Sequence, residues 1–219
     1  RAGLIQKRSD TPIKALEGVM SAPNNLPKWA QLDVITHIFS AANQLGGEAR
    51  IVGGAVRNWL TGRTINDIDM AVNLPIDAIA TKLRQLATLK VVETGLAHGT
   101  VTIVGGDRSI ELTQTRDDVS TDGRHAVVRF QNDWAHDAAR RDFTINAIYL
   151  DADGNLFDPY SGRADLAEKR LRFVGDAGQR VQEDALRMLR FCRFFMDYGG
   201  GHADQQALEA LRKFAPLTA

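Results

Sequence analysis

Asp67-Ile68-Asp69 places two carboxylates two residues apart at the start of an apolar stretch, Ile68 to Val72. On a strand, residues i and i+2 face the same side, so both acids could converge on a hard cation such as Mg²⁺. The spacing alone carries little, because a chain of this acidic content supplies about three acidic-x-acidic matches by chance. Asp151-Ala152-Asp153 is the bland version, beside Gly154-Asn155, where Asp is an ordinary turn residue. A third acid, Glu111, alternates with Ile110 and Leu112 and so points away from the apolar face of its strand. Alone, it reads equally well as a solvated strand residue. With Asp67 and Asp69 on a neighbouring strand, it completes a trio able to hold two Mg²⁺ ions. One would activate an attacking 3′-hydroxyl, the other a triphosphate and its leaving pyrophosphate.

Two further groupings bear on the same chemistry. Gly53-Gly54-Ala55-Val56-Arg57 follows a short apolar strand and opens a helix. Residues without side chains let backbone approach a phosphate, the helix start offers free N–H groups, and Arg57 could reach the same anion. The spacing fits neither the Rossmann nor the P-loop fingerprint, and a Gly pair that merely turns the chain is the plain alternative. Farther on, Asp184 and Arg187 stand three apart in a helical pattern and share a face. Asp only accepts hydrogen bonds and Arg only donates. Cytosine and adenine each present an amino donor beside a ring-nitrogen acceptor, whereas uracil and guanine present the reverse. One Asp–Arg pair can therefore admit C and A and reject U and G. The plain alternative is an ordinary helical ion pair.

The elements that must hold these residues can be read from periodicity. Leu32, Ile35, Ile38, Phe39, Ala42 and Leu45 have helical spacing, ended by Gly46-Gly47. Strands are predicted at 49–52, 68–72, 91–92, 100–104 and 109–113, with Gly105-Gly106 turning between the last two. Helices are predicted at 55–60 and 76–86. Residues 117–126 are charged and aperiodic, hence a loop, and a hairpin of 145–150 with 155–157 turns at Asp153-Gly154. Beyond about residue 164 the chain reads as helical, with Glu183 to Tyr198 the strongest segment and 205–214 another. Met188, Leu189, Phe191, Phe194 and Phe195 are expected in its core, and Cys192 in buried packing. The fold class is α+β: a head of small mixed sheet and flanking helices over residues 1–160, then a helical neck over 161–219.

The bulk composition excludes several classes. The 219 residues are 44% hydrophobic and 25% charged, which is globular rather than disordered. No run approaches the roughly 18 apolar residues of a membrane span. A single cysteine permits no internal disulfide, and the chain shows no secretory pattern, so a soluble cytoplasmic protein is expected. The five histidines form no metal-ligand spacing. Twenty-seven basic and 27 acidic residues leave no net charge, so RNA contact would rely on local patches. Oligomeric state is not legible.

Taken in order, these segments resemble the polymerase-β-like nucleotidyltransferase superfamily. They are more closely similar to the bacterial-type (class II) CCA-adding tRNA nucleotidyltransferase and poly(A) polymerase family. The resemblance rests on Gly53 to Arg57, Asp67 to Asp69, Gly95-Leu96-Ala97-His98-Gly99-Thr100, Glu111-Leu112-Thr113, Arg140-Arg141-Asp142-Phe143-Thr144-Ile145-Asn146-Ala147, Asp158-Pro159-Tyr160-Ser161-Gly162 and Glu183-Asp184-Ala185-Leu186-Arg187. It implies Mg²⁺-dependent transfer of CMP and AMP from CTP and ATP to a tRNA 3′ end. Asp67, Asp69 and Glu111 would be metal ligands, and Gly53, Gly54 and Arg57 would bind the triphosphate. Asp142 would accept from the ribose 2′-hydroxyl, with Arg141 a ribose or phosphate contact, and Glu183 would orient Arg187 beside Asp184 in base selection. Arg124 and Arg190 are weaker candidates for RNA or nucleotide contact. The loop from Asp117 to Asp133 resembles the flexible loop of complete CCA enzymes. Asn58 stands where the family often has Asp. Relatives in that family continue into body and tail domains that grip tRNA, for which this sequence has no counterpart. Gly95 to Thr100 favours the CCA branch over poly(A) polymerase. The intact acidic trio argues against a non-catalytic binding module.

Overall fold

The computed structural model describes residues 26–121, 126–130, 132–200 and 203–215. In chain order the elements are α1 (Asp33–Gln44), β1 (Ala49–Val52), α2 (Gly54–Leu60), β2 (Ile68–Val72), α3 (Ile76–Arg84), β3 (Leu89–Gly95), β4 (Thr100–Gly105), β5 (Arg108–Gln114), β6 (Arg116–Thr121), β7 (Ala126–Phe130), α4 (Trp134–Ala139), β8 (Tyr149–Leu150), β9 (Leu156–Phe157), α5 (Gly162–Ala167), α6 (Ala177–Glu183), α7 (Leu186–Tyr198) and α8 (Gln205–Phe214). Among the described residues no helix is long and apolar enough to cross a membrane.

Seven strands form one mixed sheet in the order β3-β4-β5-β2-β1-β8-β9. β2 and β5 run parallel, and every other pairing in it is antiparallel. Period-2 alternation gives the sheet two unlike faces. Ile51, Ile68, Met70, Val72, Ile110 and Leu112 point into the main core with Ile35 and Ile38 of α1 and Ile79 and Leu83 of α3. The opposite face carries a smaller cluster in which Val52, Ala71 and Tyr149 pack against Trp134 and Ala138 of α4. Ala71 lies two residues beyond Asp69 and so on the same face. α4 therefore roofs this face as far as Ala71 and stops short of Asp69, which stays exposed.

The main core continues past residue 160. Phe143 meets Phe173 at a ring-centroid distance of 4.9 Å and Phe194 at 5.3 Å. Leu166, Val181, Met188, Phe191, Ala207 and Ala210 belong to the same buried set as the sheet. Gly162 opens α5 where a Cβ would stand 2.2 Å from the Thr144 carbonyl oxygen, so only glycine permits this close packing.

Several expectations are corrected. Of residues 117–126, read as a loop, 117–121 and 126 belong instead to an antiparallel ribbon of β6 and β7, with Asp117 opposite Arg129 and Asp118 opposite Val128. β6 is polar and carries no apolar alternation, so periodicity could not reveal it. α4 had no predicted counterpart. Glu183 to Tyr198 is two helices rather than one, since Asp184 takes extended backbone (φ −156°, ψ 105°) between α6 and α7. Leu189 is 60% exposed and Cys192 is exposed too. The buried stripe of α7 is Met188, Phe191 and Phe194, and its 3.6-residue period turns those two side chains outward.

Candidate active site

The sheet itself brings the first two acids together. In the parallel β2–β5 pair Asp69 is the direct partner of Glu111. In the antiparallel β1–β2 pair Asp69 faces Val52, so the Gly53 turn begins beside it. Asp67 lies one residue ahead of β2. All three acids are exposed. The Asp69 carboxyl is held above its ordinary value, first by partial burial, then by repulsion from Glu111, with Arg141 opposing and Asp67 adding to the rise. None of the three accepts a hydrogen bond from another described residue. Among the described residues no three acidic, histidine or cysteine groups are already drawn into a metal cage. Mutually repelling carboxylates are not expected to close up without a counter-charge. Unpaired, clustered negative charge on an open sheet face is a donor set that suits a hard divalent cation.

Gly53 has φ +74°, a left-handed conformation that favours glycine. A Cβ built on it would lie 3.8 Å from Nη1 of Arg141 and 3.8 Å from the Asn146 carbonyl oxygen. Arg141 therefore approaches the glycine turn, and its Nη1 donates to no described residue. Its other donors are anchored: Nε donates to the Tyr149 hydroxyl at 2.9 Å and Nη2 to Asp137 Oδ2 at 3.0 Å. Asp137, absent from the sequence-based candidates, also takes two bonds from Arg140, at 2.8 and 2.6 Å, and one from the Tyr149 hydroxyl at 2.8 Å. Its side chain is wholly buried. Burial pushes its carboxyl up, but Arg141, Arg140 and the Tyr149 hydroxyl outweigh this and hold it at about 2. Burial likewise lowers the Arg141 guanidinium, and Tyr149 and Asp137 raise it on balance. The one sequence signal was its place three and four residues before two arginines, spacings that a helical turn would bring together.

Arg57 stays beside the glycine turn, its Nη2 3.6 Å from where a Cβ on Gly54 would stand, and it is already held there by other groups. It is 9% exposed, and its guanidinium stacks 4.5 Å from the Tyr198 ring and 4.9 Å from the Phe194 ring, both on α7. It donates to Asn146 Oδ1 and, at 3.2 and 3.1 Å, to Asn58 Oδ1. Asn58 Oδ1 also accepts from the Tyr198 hydroxyl at 2.7 Å, while Asn58 Nδ2 donates to the Thr64 carbonyl at 2.9 Å. A carboxylate could not make that last bond. Burial holds the Arg57 guanidinium below its ordinary value. Arg57 thus ties α2 to the neck helix.

Asp142 is nearly buried, and all four of its lone-pair sites are taken. Oδ1 accepts from the Phe143 amide at 2.8 Å and from Asn146 at 2.9 Å, and Oδ2 from Arg190 at 2.8 and 2.5 Å. A ribose hydroxyl reaches it in this conformation only by displacing one of them. Arg190, a weak RNA candidate, is the Asp142 partner, and Arg124 lies outside the described residues.

At the other end of α7, Glu183 accepts from Arg187 Nη1 at 2.7 Å and from Arg180 at 2.9 Å. Arg187 Nη1 also donates to the Arg180 carbonyl at 3.1 Å, and its Nε and Nη2 meet no described partner. Asp184 Oδ1 accepts from the Leu186 amide at 2.9 Å, beginning α7. Its other oxygen stays open. The shared helical face expected for Asp184 and Arg187 is replaced by a cap and the turn it starts.

The Poly A polymerase head domain family matches residues 49–172, more than half of the chain. The chain belongs to this family. The match takes in the carboxylate strands, the glycine turn, Asp137 and the Arg140 to Asp142 segment. As a member, the chain is 43% identical over 187 residues to the protein named CCA tRNA nucleotidyltransferase 1, mitochondrial, of Homo sapiens, covering 84% of this chain and 42% of that one. It is 38% identical over 185 residues to the CCA-adding enzyme of Geobacillus stearothermophilus, covering 83% and 44%. Among solved structures, the Bacillus stearothermophilus CCA-adding enzyme in complex with CTP superposes with a TM-score of 0.76 at 32% identity, over 88% of this chain and 45% of that one. A tRNA nucleotidyltransferase complexed with a primer tRNA and an incoming ATP analog gives 0.67 at 26% identity, over 83% and 50%. This head-domain protein spans less than half the length of these curated relatives.

Proposed function

We propose that the chain is the head and neck of a CCA-adding tRNA nucleotidyltransferase. It would transfer CMP and AMP from CTP and ATP to a tRNA 3′ end without a nucleic-acid template. The observation that carries this is Asp69 beside Glu111, unpaired, at the mouth of the Gly53 turn that Arg141 overlooks. Relatives named for this activity at 38–43% identity supply the substrate class. A cytoplasmic location belongs to the same proposal.

Asp67, Asp69 and Glu111 would hold Mg²⁺. Bound there, Mg²⁺ supplies neutralisation of the triphosphate and acidification of the attacking 3′-hydroxyl. Arg141 Nη1 and the Gly53–Gly54 backbone would bind phosphate oxygens, with Arg57 holding the glycine-turn helix against the neck. Asp142 would accept from the ribose 2′-hydroxyl in exchange for one of its Arg190 bonds. The open oxygen of Asp184 would accept from the amino group of cytosine or adenine, and the open donors of Arg187, steadied by Glu183, would serve the ring nitrogen. Uracil and guanine would meet a donor with a donor and an acceptor with an acceptor. Such mismatches leave buried polar groups unpaired, the strongest form of rejection available to a binding site.

The family's description as a poly A polymerase head domain keeps one other reading in play, addition of AMP alone. Labelled CTP, ATP, UTP and GTP, offered with Mg²⁺ to the full-length protein and a tRNA lacking its 3′ CCA, separate the two. Incorporation of C and A, and neither U nor G, is expected. ATP-only tailing would assign the chain to the poly(A) branch, and no incorporation would refute the enzymatic reading.

A further inference from the structure

Asp137 accepts four side-chain hydrogen bonds, and nothing in the proposed chemistry uses it directly. Its side chain is wholly buried. Its partners explain it. Of the five guanidinium donors of Arg141, the Tyr149 hydroxyl fixes Nε and Asp137 fixes Nη2, at 2.9 and 3.0 Å. The Tyr149 hydroxyl in turn donates to the same Asp137 oxygen at 2.8 Å, closing a three-membered ring of polar groups. Two fixed edges of a planar group leave its third edge one direction to face. That edge is Nη1, beside the Gly53 turn, where a Cβ would come within 3.8 Å. The same placement lets Arg141 oppose the rise of Asp69.

We propose that Asp137 is a positioning residue for the phosphates of the incoming nucleotide, acting by aiming Arg141 Nη1 at the Gly53–Gly54 turn. Arg140 occupies the other Asp137 oxygen and stops the carboxylate from rotating. Tyr149 is locked by its edge contact with Trp134, at a centroid distance of 5.8 Å. The arrangement gives a phosphate a charged donor whose orientation is fixed before the ligand arrives, so little side-chain freedom remains to be lost on binding.

The inference rests on the proposed function only for the identity of the ligand. Its test is the affinity of the full-length protein for CTP relative to CMP, measured by competition in the presence of Mg²⁺, with thermal unfolding alongside. Asp137→Asn keeps the shape and removes the charge. It should reduce the CTP preference by about tenfold, the change expected for losing one well-aimed charged hydrogen bond. Arg141→Gln should do the same, and Tyr149→Phe should do so to a smaller degree. Asp165→Asn disrupts another wholly buried carboxylate, one held by Arg170 and Arg172. It should lower the melting temperature while keeping the CTP preference, which separates aiming from general stability. A wild-type preference in folded Asp137→Asn would overturn the inference. Should that variant fail to fold, an unchanged preference in Tyr149→Phe would overturn it instead. If Arg141→Gln alone loses the preference, the phosphate site stands and only the role of Asp137 falls. If Arg141→Gln also keeps it, both fall.

Discussion

Two groups of carboxylates occupy opposite electrostatic situations in this chain. Asp67, Asp69 and Glu111 are exposed and lack hydrogen-bond donors among the described residues, and Asp69 is raised by burial and by its own neighbours. Asp137, Asp142 and Asp165 are buried, and each is held by arginine. The first arrangement leaves like charges in conflict until something positive arrives. The second has its positive charge built in and cannot give it up without leaving a buried ion alone. The open set is therefore suited to a ligand, and the closed sets to fixing where arginines point.

The contrast can be attacked from its strong side first. Asp67→Asn or Glu111→Gln should lower nucleotide transfer by about a thousandfold or more, since several kcal/mol of metal-dependent stabilisation is removed. Unfolding midpoints should barely move, and steady-state incorporation beside urea titration checks both. Asp137→Asn should behave oppositely in stability, losing about 3 kcal/mol in the same titration because two arginines are left buried without their carboxylate.

Acid sharpens the point. The Asp137 carboxyl, ordinarily near 3.8, sits at about 2 in the folded chain. A depressed carboxylate stabilises above its unfolded value, and that contribution disappears as pH falls through the folded value. Roughly 2 kcal/mol should thus be lost between about pH 4 and pH 2, and Asp137→Asn should lack that portion of the slope. Glu183→Gln should loosen Arg187 and raise UTP misincorporation by about tenfold, read from single-nucleotide assays. Smallest of all, Leu189→Ala on the exposed side of α7 should alter stability by no more than about 0.5 kcal/mol.

Much of this was legible in the sequence, for physical reasons that also explain the rest. Asp69 and Glu111 could be placed because Ile68, Met70, Ile110 and Leu112 alternate around them, and alternation fixes which face a side chain takes. That they would be direct partners was not legible, since strand register depends on residues distant in sequence. The Gly53 turn was visible as a Gly pair between a strand and a helix. Arg57 was legible as a neighbour of that turn, but its ring partner was not, because an arginine one turn into a helix can face an anion and an aromatic neighbour alike. That neighbour, Tyr198, lies on α7, far along the chain. Asp184 looked helical because Glu183 to Tyr198 is periodic throughout. Its side chain competes for the Leu186 amide, as Asp does at helix starts, and breaks the helix there. The importance of Asp137 needed Tyr149, which only the sheet brings to it.

The most direct test joins both halves of the comparison in one variant. Asp69→Asn in the full-length protein should abolish Mg²⁺-dependent CMP transfer to a tRNA lacking CCA. It should leave the cation-free protein as stable as wild type or more so, by up to about 0.5 kcal/mol, because a solvent-screened like charge beside Glu111 has been removed. Retained transfer, or lost transfer accompanied by clear destabilisation, would contradict the assignment of the open carboxylates to chemistry.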